Sequence, residues 1–228
     1  MTPKEILQAA FETVISPHLQ ERGFSYVRSP FGYQRKVGAF TQHISVTLSH
    51  RNTQQSITFW SAFNVASAEY NKWRKQHGLE KFNGYLGGCM DWNIPGWREP
   101  GDFRSSFDFS KPEERDSVLS DWLRRCLSSG IPYHDSLSTW EGLANDLLRW
   151  NWHWGRAADF FMIAGRSEKA VAALQAGIEF LLKQDYSFSP NAHPTLIMKK
   201  KRLEKERDME VEAYRSRVRL LNNSEQGG

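Results

Sequence analysis

The segment FTQHISVTLSH, residues 40–50, constrains the fold of this chain most strongly, because its polarity alternates with a period of two. One face carries Phe40, Gln42, Ile44, Val46 and Leu48. The other face carries only Thr, Ser and His side chains. Such alternation is typical of a strand that buries one face and exposes the other. We therefore predict a half-buried β-strand.

Three more segments alternate in the same way. They are FGYQRKV (31–37), SITFWSAFNV (56–65) and a stretch near 103–109 in which Phe103, Phe107 and Phe109 are separated by polar residues. The polar residues 51–54 form a short turn, whereas a parallel crossover needs about a dozen residues. The four strands are therefore predicted to form an antiparallel meander.

Much of the remaining sequence has the apolar spacing of three to four residues that predicts helices. Capping boxes, in which a Ser or Thr precedes a Glu by three residues, mark three starts: Thr2 with Glu5, Ser110 with Glu113, and Ser138 with Glu141. Pro17 is expected to kink or end the first helix, and residues 67–78 form a short one. Residues 152–185 predict a helical hairpin that turns at Gly165–Ser167 and is packed closely through Ala157, Ala164 and Ala170.

The predicted fold class is α+β: an antiparallel sheet of about four strands flanked by helices, followed by a C-terminal helical hairpin and a long charged helix. We assign residues 1–150 to the α+β domain, 151–193 to a hairpin packed on it, and 194–228 to the charged helix with a frayed tail. In RWNWHWG (149–155) we interpret Trp150, Trp152 and Trp154 as a joint between helices, with two of the rings in the core.

The formal charge of +4 is concentrated near the C-terminus. Residues 194–228 contain nine Lys or Arg and six Asp or Glu, whereas the remaining 193 residues contain 21 and 20. A nucleic-acid surface is more often a basic face of the globular part, so we do not expect nucleic acid to be a partner. The alternative is that the charged helix binds nucleic acid through Lys199, Lys200, Lys201 and Arg202.

Location follows from what the sequence lacks. No segment approaches the roughly 20 apolar residues that cross a bilayer, and the N-terminus MTPKEILQAAFETVI has no long apolar run of the secretory kind. We expect a cytoplasmic protein with no membrane partner. The two cysteines, Cys89 and Cys126, predict neither a disulfide framework nor a zinc site.

The sequence does not predict catalysis. It contains no GxxxxGK[ST], GxGxxG, GxSxG or HExxH motif. A hydrolase or transferase using Cys89 or His134 stays open, but no known signature pairs them, and a buried thiol and a turn histidine are the simpler readings. His43 and His50 fall on opposite faces of one strand, which excludes them as a shared metal pair. We expect no cofactor, no metal and no enzymatic activity.

The loop 82–103 carries the residue types that anchor protein interfaces: Tyr85, Trp92, Trp97 and Arg98. We predict that these residues bind a protein partner. The alternative, equally favoured by the sequence, is that the loop folds down over one end of the sheet. Substitution of Trp97 by alanine separates the two, because an anchor contributes to affinity and a core residue to stability.

The order of elements resembles a known family. The resemblance lies in LQERGFSYVRSPFGYQRKV after an N-terminal helix, in strands ending FWSAFNV, in LGGCMDWNIPGW and in IPYHDSLSTWEGL. Residues 3–150 thereby resemble the bacterial domain-of-unknown-function family 4304. The resemblance implies a mixed α/β domain with no catalytic residues to carry over. It also implies a role as an immunity protein that neutralises a cognate toxin by direct binding.

Overall fold

The computed structural model describes residues 1–151, 153–184 and 194–225. The chain divides into two compact units, Met1–Thr139 and Trp140–Gly228. The first unit contains a six-stranded antiparallel sheet with helices, and the second is helical. The predicted α+β class is confirmed, including the long helix at the C-terminus.

The first unit begins with helices α1 (Pro3–Ala10) and α2 (Ser16–Gln20). Its strands are β1 (Ser25–Val27), β2 (Gly32–Val37), β3 (Phe40–Leu48), β4 (Thr58–Ala66), β5 (Gly87–Met90) and β6 (Phe107–Asp108), with α3 (Ala68–Gln76) between β4 and β5. Helices α4 (Arg115–Arg125) and α5 (Ile131–Ser136) follow. The sheet order is β1-β2-β3-β4-β5, and β6 also pairs with β4.

The alternation in β3 has the predicted consequence. Phe40, Ile44 and Val46 are buried, and Gln42 on the same face is completely buried. The Gln42 amide is satisfied because it donates to the Ser138 hydroxyl at 2.7 Å and accepts from Arg35. A polar residue on the apolar face is therefore stable here, since a buried amide without partners would be destabilising.

Helices α1 and α2 are joined by a π-turn just before a proline, and so are α4 and α5. Phe11–Ile15 precedes Pro17, and Cys126–Gly130 precedes Pro132. Proline has no N–H and its ring crowds the carbonyl four residues earlier, so a regular α-helix is disfavoured at this point. The widened turn shifts the hydrogen bonds, and Ser16 N–H donates to Phe11 O. The helical segment thus continues past Pro17 to Gln20 through this widened turn.

The sheet has two strands more than predicted, and one predicted strand is shorter. Strand β1 has three residues, and β5 lies in a glycine-rich segment that the sequence indicated as loop. The prediction of a strand over 103–109 was wrong at its beginning, because only Phe107–Asp108 pairs with β4. Ser110 does not cap α4: its hydroxyl accepts the Ile57 N–H at 2.9 Å instead.

The second unit consists of α6 (Trp140–Arg149), α7 (Trp154–Ile163), α8 (Ser167–Lys183) and α9 (Pro194–Glu225). The predicted turn between α7 and α8 is confirmed, with Gly165 at a φ of +69°. Ala157 and Ala170 are fully buried in the hairpin. Helix α9 packs through Val211 and Tyr214, which are 3% and 7% exposed.

The tryptophan segment joins α6 to α7, but it is not helical throughout. Asn151 and His153 adopt left-handed backbone conformations, with φ of 49° and 56°. Trp154 is buried against Phe180. On a helix Trp150 would share the buried face of Trp154, but it is 42% exposed, so its placement in the core was wrong. Trp152 lies outside the described residues.

Candidate protein-binding surface

The long loop between β5 and β6 is attached to the sheet at its beginning by Asp91. This side chain is 2% exposed, and one of its oxygens accepts from the backbone N–H of Ser61 at 2.7 Å and from its hydroxyl at 2.6 Å. The Ser61 hydroxyl in turn accepts the indole N–H of Trp122 at 3.0 Å. Burial raises the pKa of Asp91, and these hydrogen bonds oppose that rise. The loop is thereby fixed to β4 and α4.

Trp97 holds the middle of the loop against the core. Its side chain is 3% exposed and packs edge-on against Phe63, with ring centroids 5.4 Å apart. Gly130 provides the space, because a β-carbon there would lie 3.0 Å from the Trp97 ring. The Trp97 carbonyl accepts a hydrogen bond from Arg125 at 3.1 Å.

Asp102 fixes the far end of the loop in a tight turn. Its carboxylate accepts three hydrogen bonds from Arg104, through the backbone N–H at 3.1 Å, Nε at 2.9 Å and Nη2 at 3.0 Å. A fourth comes from Nη1 of Arg125 at 2.9 Å. The hydrogen bonds from Arg104, followed by that from Arg125, hold the pKa of Asp102 well below its usual range. Such charge-assisted bonds are among the stronger ones in proteins.

Arg125 connects this turn to α4. Its guanidinium is 6% exposed and also contacts Asp121, with Nη2 to Oδ2 at 2.9 Å. Two carboxylates thus share one buried arginine, which offsets the loss of hydration of the guanidinium. The turn therefore rests on a buried ionic support.

Phe103 lies on this turn between Asp102 and Arg104, and 86% of it is exposed. Phenylalanine is among the residue types most often fully buried, so this ring departs from the usual behaviour of its type. The neighbouring residues are held on both sides, so the backbone presents the ring in a defined position. A preorganised aromatic ring with charged neighbours is characteristic of an interface anchor.

An open groove of about 620 Å³ runs beside this turn, and we call it the α4 groove. It is lined by residues of the loop and β6 on one side and of α4 and its preceding turn on the other: Glu99, Arg104, Ser106, Phe107, Asp108, Glu114, Ser117, Val118, Asp121, Arg124 and Arg125. Charged and polar groups predominate, unlike the mostly apolar lining of typical small-molecule pockets.

The predicted anchors fall into two groups. Tyr85 is 41% exposed and its ring lies 5.4 Å from that of His43. Trp92 and Arg98 are partly exposed. Trp97 belongs to the core, as the alternative reading of the loop allowed. Sequence reasoning missed Phe103, because its spacing to Phe107 and Phe109 placed it on the buried face of a strand.

The residues of the nucleic-acid alternative lie together near the beginning of the described part of α9. Lys199, Lys201 and Arg202 are exposed. Lys200 pairs with Glu204 at 3.7 Å and Arg202 with Glu206 at 2.7 Å, so carboxylates one turn away partly neutralise this cluster.

His134 has a structural environment. It is fully buried, lies 5.3 Å from Phe63 and stacks on Phe24. Its Nε2 lies 2.9 Å from the Asn64 carbonyl and therefore carries the proton, while Nδ1 is buried with no hydrogen-bond partner among the described atoms. Burial lowers the pKa of His134 to about 4, so the ring is neutral at pH 7. Cys89 is partly exposed on β5, opposite Phe63.

No group of three or more His, Cys, Asp or Glu side chains that could hold a metal ion occurs among the described residues. Within residues 1–151, 153–184 and 194–225, no helix combines the length and apolar character needed to span a membrane. The chain matches no protein-family model, no curated protein and no solved structure.

Proposed function

We propose that this chain is a protein-binding protein without catalytic activity, and that its contact surface is centred on Phe103. The observation that carries the proposal is the 86% exposure of this ring on a turn that the Asp102 carboxylate fixes from two sides. An exposed aromatic ring gains most from transfer into an apolar pocket of a partner. Burial of such anchors dominates the energy of many interfaces.

The rigidity of the turn strengthens this interpretation. A flexible loop loses conformational entropy when it binds, whereas a turn that is already ordered loses little. Arg104 and Arg124, which are 68% and 53% exposed, line the α4 groove and offer charged groups for polar contacts near the turn. A central aromatic group with a charged rim matches the usual anatomy of a protein interface.

We further propose that the partner is a toxin and that the chain acts as its immunity protein in the bacterial cytoplasm. The support is the resemblance of residues 3–150 to family 4304. Neutralisation by direct binding requires only a surface complementary to the toxin. The surface around Phe103 offers an exposed aromatic ring for such contact, and the proposed role needs no catalytic group.

The product of the adjacent gene, taken as the candidate toxin, provides the test. The full chain is expected to bind this product and to restore growth when the two are co-expressed. Phe103→Ala should weaken binding at least about thirtyfold, which corresponds to about 2 kcal/mol. Its melting temperature should stay unchanged, since the ring is exposed.

Leu79→Ala is the matched control, because this apolar side chain is 40% exposed elsewhere in the same unit. It should bind and protect like the wild type. Equal binding by the Phe103→Ala variant would refute the proposed surface. Absence of any binding to the neighbouring product would refute the toxin assignment.

A second candidate function is nucleic-acid binding through Lys199, Lys200, Lys201 and Arg202. The exposure of Lys199 and Lys201 favours it, since accessible cations attract phosphates. The ion pairs of Lys200 and Arg202 with Glu204 and Glu206 weaken it.

A further inference from the structure

We propose that the α4 groove binds an extended segment of the partner, which adds to the sheet as a strand beside β6 and carries a basic residue. This inference rests on the proposed protein-binding function and specifies how the partner is held. It depends on the backbone of β6, on the helix opposite and on the charge of the groove, which are independent observations.

The hydrogen bonds of β6 show which of its backbone groups face the groove. Phe109 N–H donates to Ile57 O at 2.7 Å, and the register pairs Phe107 with Phe59 and Asp108 with Thr58. In an antiparallel pair, only alternate residues exchange hydrogen bonds with the neighbour. Phe107 and Phe109 therefore face β4, whereas the N–H and C=O of Asp108 face away from it.

The opposite strand agrees with this parity. Thr58, the partner of Asp108, directs its carbonyl to the other side of β4, where it accepts Ser49 N–H at 3.1 Å. Ser106 lies two residues before Asp108 and would present its backbone to the same side as Asp108. Both residues line the α4 groove. An extended segment in the groove would meet a short row of outward backbone groups, as in recognition by strand addition.

One face of α4 forms the other side of the groove. Ser117, Val118, Asp121, Arg124 and Arg125 lie on it, at spacings that place them along one side of a helix. A groove between an edge strand and a helix accommodates one extended chain. Phe103 adjoins the groove through Arg104, so one partner could occupy the groove and cover the ring.

The charges favour a basic residue in the bound segment. The three arginines of the groove already contact carboxylates: Arg104 contacts Asp102, Arg124 contacts Glu99 and Asp121, and Arg125 contacts Asp102 and Asp121. Asp108 is exposed, and its carboxylate accepts the Ser110 N–H at 2.9 Å. The lining has four carboxylates against three guanidinium groups. Glu114 pairs with Lys111 at 2.8 Å, so Asp108 contributes the negative charge on the β6 side. A Lys or Arg opposite Asp108 would complement this region.

The probe is a set of synthetic peptides selected on the full chain from a phage-displayed library of random linear sequences. We expect peptides enriched in Lys or Arg, and amide hydrogen exchange at Ser106 and Asp108 slowed at least about tenfold by binding. The amide of Phe107 is the internal control, because it already faces β4. Methylation of single backbone nitrogens of the peptide should abolish binding only when the methyl group is placed at alternate residues.

Asp108→Lys should weaken the binding of these peptides at least about tenfold. Asp116→Lys, a charge reversal at an exposed position of α4 outside the groove lining, should leave their binding unchanged. Circular dichroism checks that both variants fold. Recovery of no binding peptide, of peptides insensitive to Asp108→Lys, or of peptides that leave the two amides unprotected would overturn the proposal. Loss of partner binding in Phe103→Ala combined with any of these results would leave the protein-binding function standing and reject only the strand addition.

Discussion

The carboxylate of Asp102 lies 2.9 Å from the guanidinium of Arg125, and their side chains are only 10% and 6% exposed. This ion pair joins the loop that precedes β6 to the end of α4. It explains how a turn that leaves an aromatic ring in solvent can still be ordered.

Asp102→Asn tests this support. The amide keeps the shape but removes the charge, so we expect the free energy of unfolding to fall by about 2 kcal/mol. Proteolysis should also become faster at residues 99–104. The control is Arg104→Ala, whose 68%-exposed side chain should contribute no more than about 1 kcal/mol. A denaturant titration measures both losses of free energy. Equal losses in the two variants would contradict the conclusion that the ion pair with Arg125 stabilises the turn.

His134 predicts a pH dependence of stability. Its pKa is about 4 in the folded chain, whereas an unfolded histidine titrates near 6.5. Below pH 6.5 the unfolded state therefore binds a proton that the folded state does not. Stability from the neutral ring is fully present above this pH and falls by about 3 kcal/mol as the pH decreases to 4.

Denaturant titrations of the wild type and of His134→Gln between pH 4 and 7 measure this effect. The slope of stability against pH should be smaller in the variant by an amount equivalent to about one proton. His50→Gln, at an exposed position, should retain the wild-type slope. A His134→Gln variant with the wild-type slope would contradict the prediction, because it would show that folding does not change the protonation of this ring.

Trp97→Ala separates the two interpretations of the loop that the sequence left open. Because the ring is buried against Phe63 and Phe107, we expect a loss of about 3–5 kcal/mol in the free energy of unfolding. Trp92→Ala, at a partly exposed position, should lose clearly less. Thermal unfolding of the two variants provides the comparison, and an unchanged melting temperature for Trp97→Ala would place the ring outside the core.

The sequence predicts best where one local pattern determines the structure. Strand β3 has a strict period of two over its whole length, and burial of alternate residues follows. The turn between α7 and α8 is marked by Gly165, which adopts a positive φ that other residues rarely do. Neither feature depends on distant contacts.

The exposed ring could not be predicted in this way. Phe103, Phe107 and Phe109 keep the spacing of a strand, and the local pattern places all three on one face. The turn at Phe103 is instead fixed by a contact between Asp102 and Arg125, which are 23 residues apart in the chain. The short strand β5 was missed for a related reason, since pairing with β4 overrides the low strand preference of its glycines.

The nucleic-acid alternative predicts a specific salt dependence. Binding to generic duplex DNA, measured by fluorescence anisotropy, should weaken with salt, with a slope of about one for each phosphate contact. Replacing Lys199 and Lys201 together by glutamine should then reduce the slope by about two. Replacing Lys169 and Lys183 on α8 is the control, since both lie outside this cluster. Undetectable binding at low salt would eliminate the alternative.

Gly177→Ala tests the packing in the second unit. A β-carbon at this position would lie 2.8 Å from Cβ and Cγ of Trp154 and 2.9 Å from the ring of Tyr214, closer than such atoms approach. Alanine is more favourable than glycine inside a helix by about 1 kcal/mol, so in open space the substitution would stabilise α8. We expect overpacking to exceed this gain and to destabilise the unit by about 1–2 kcal/mol. Ala176→Gly, at an exposed neighbouring position, measures the helix preference alone. If Gly177→Ala raised stability by as much as Ala176→Gly lowers it, the close packing of Trp154 and Tyr214 on Gly177 would be contradicted.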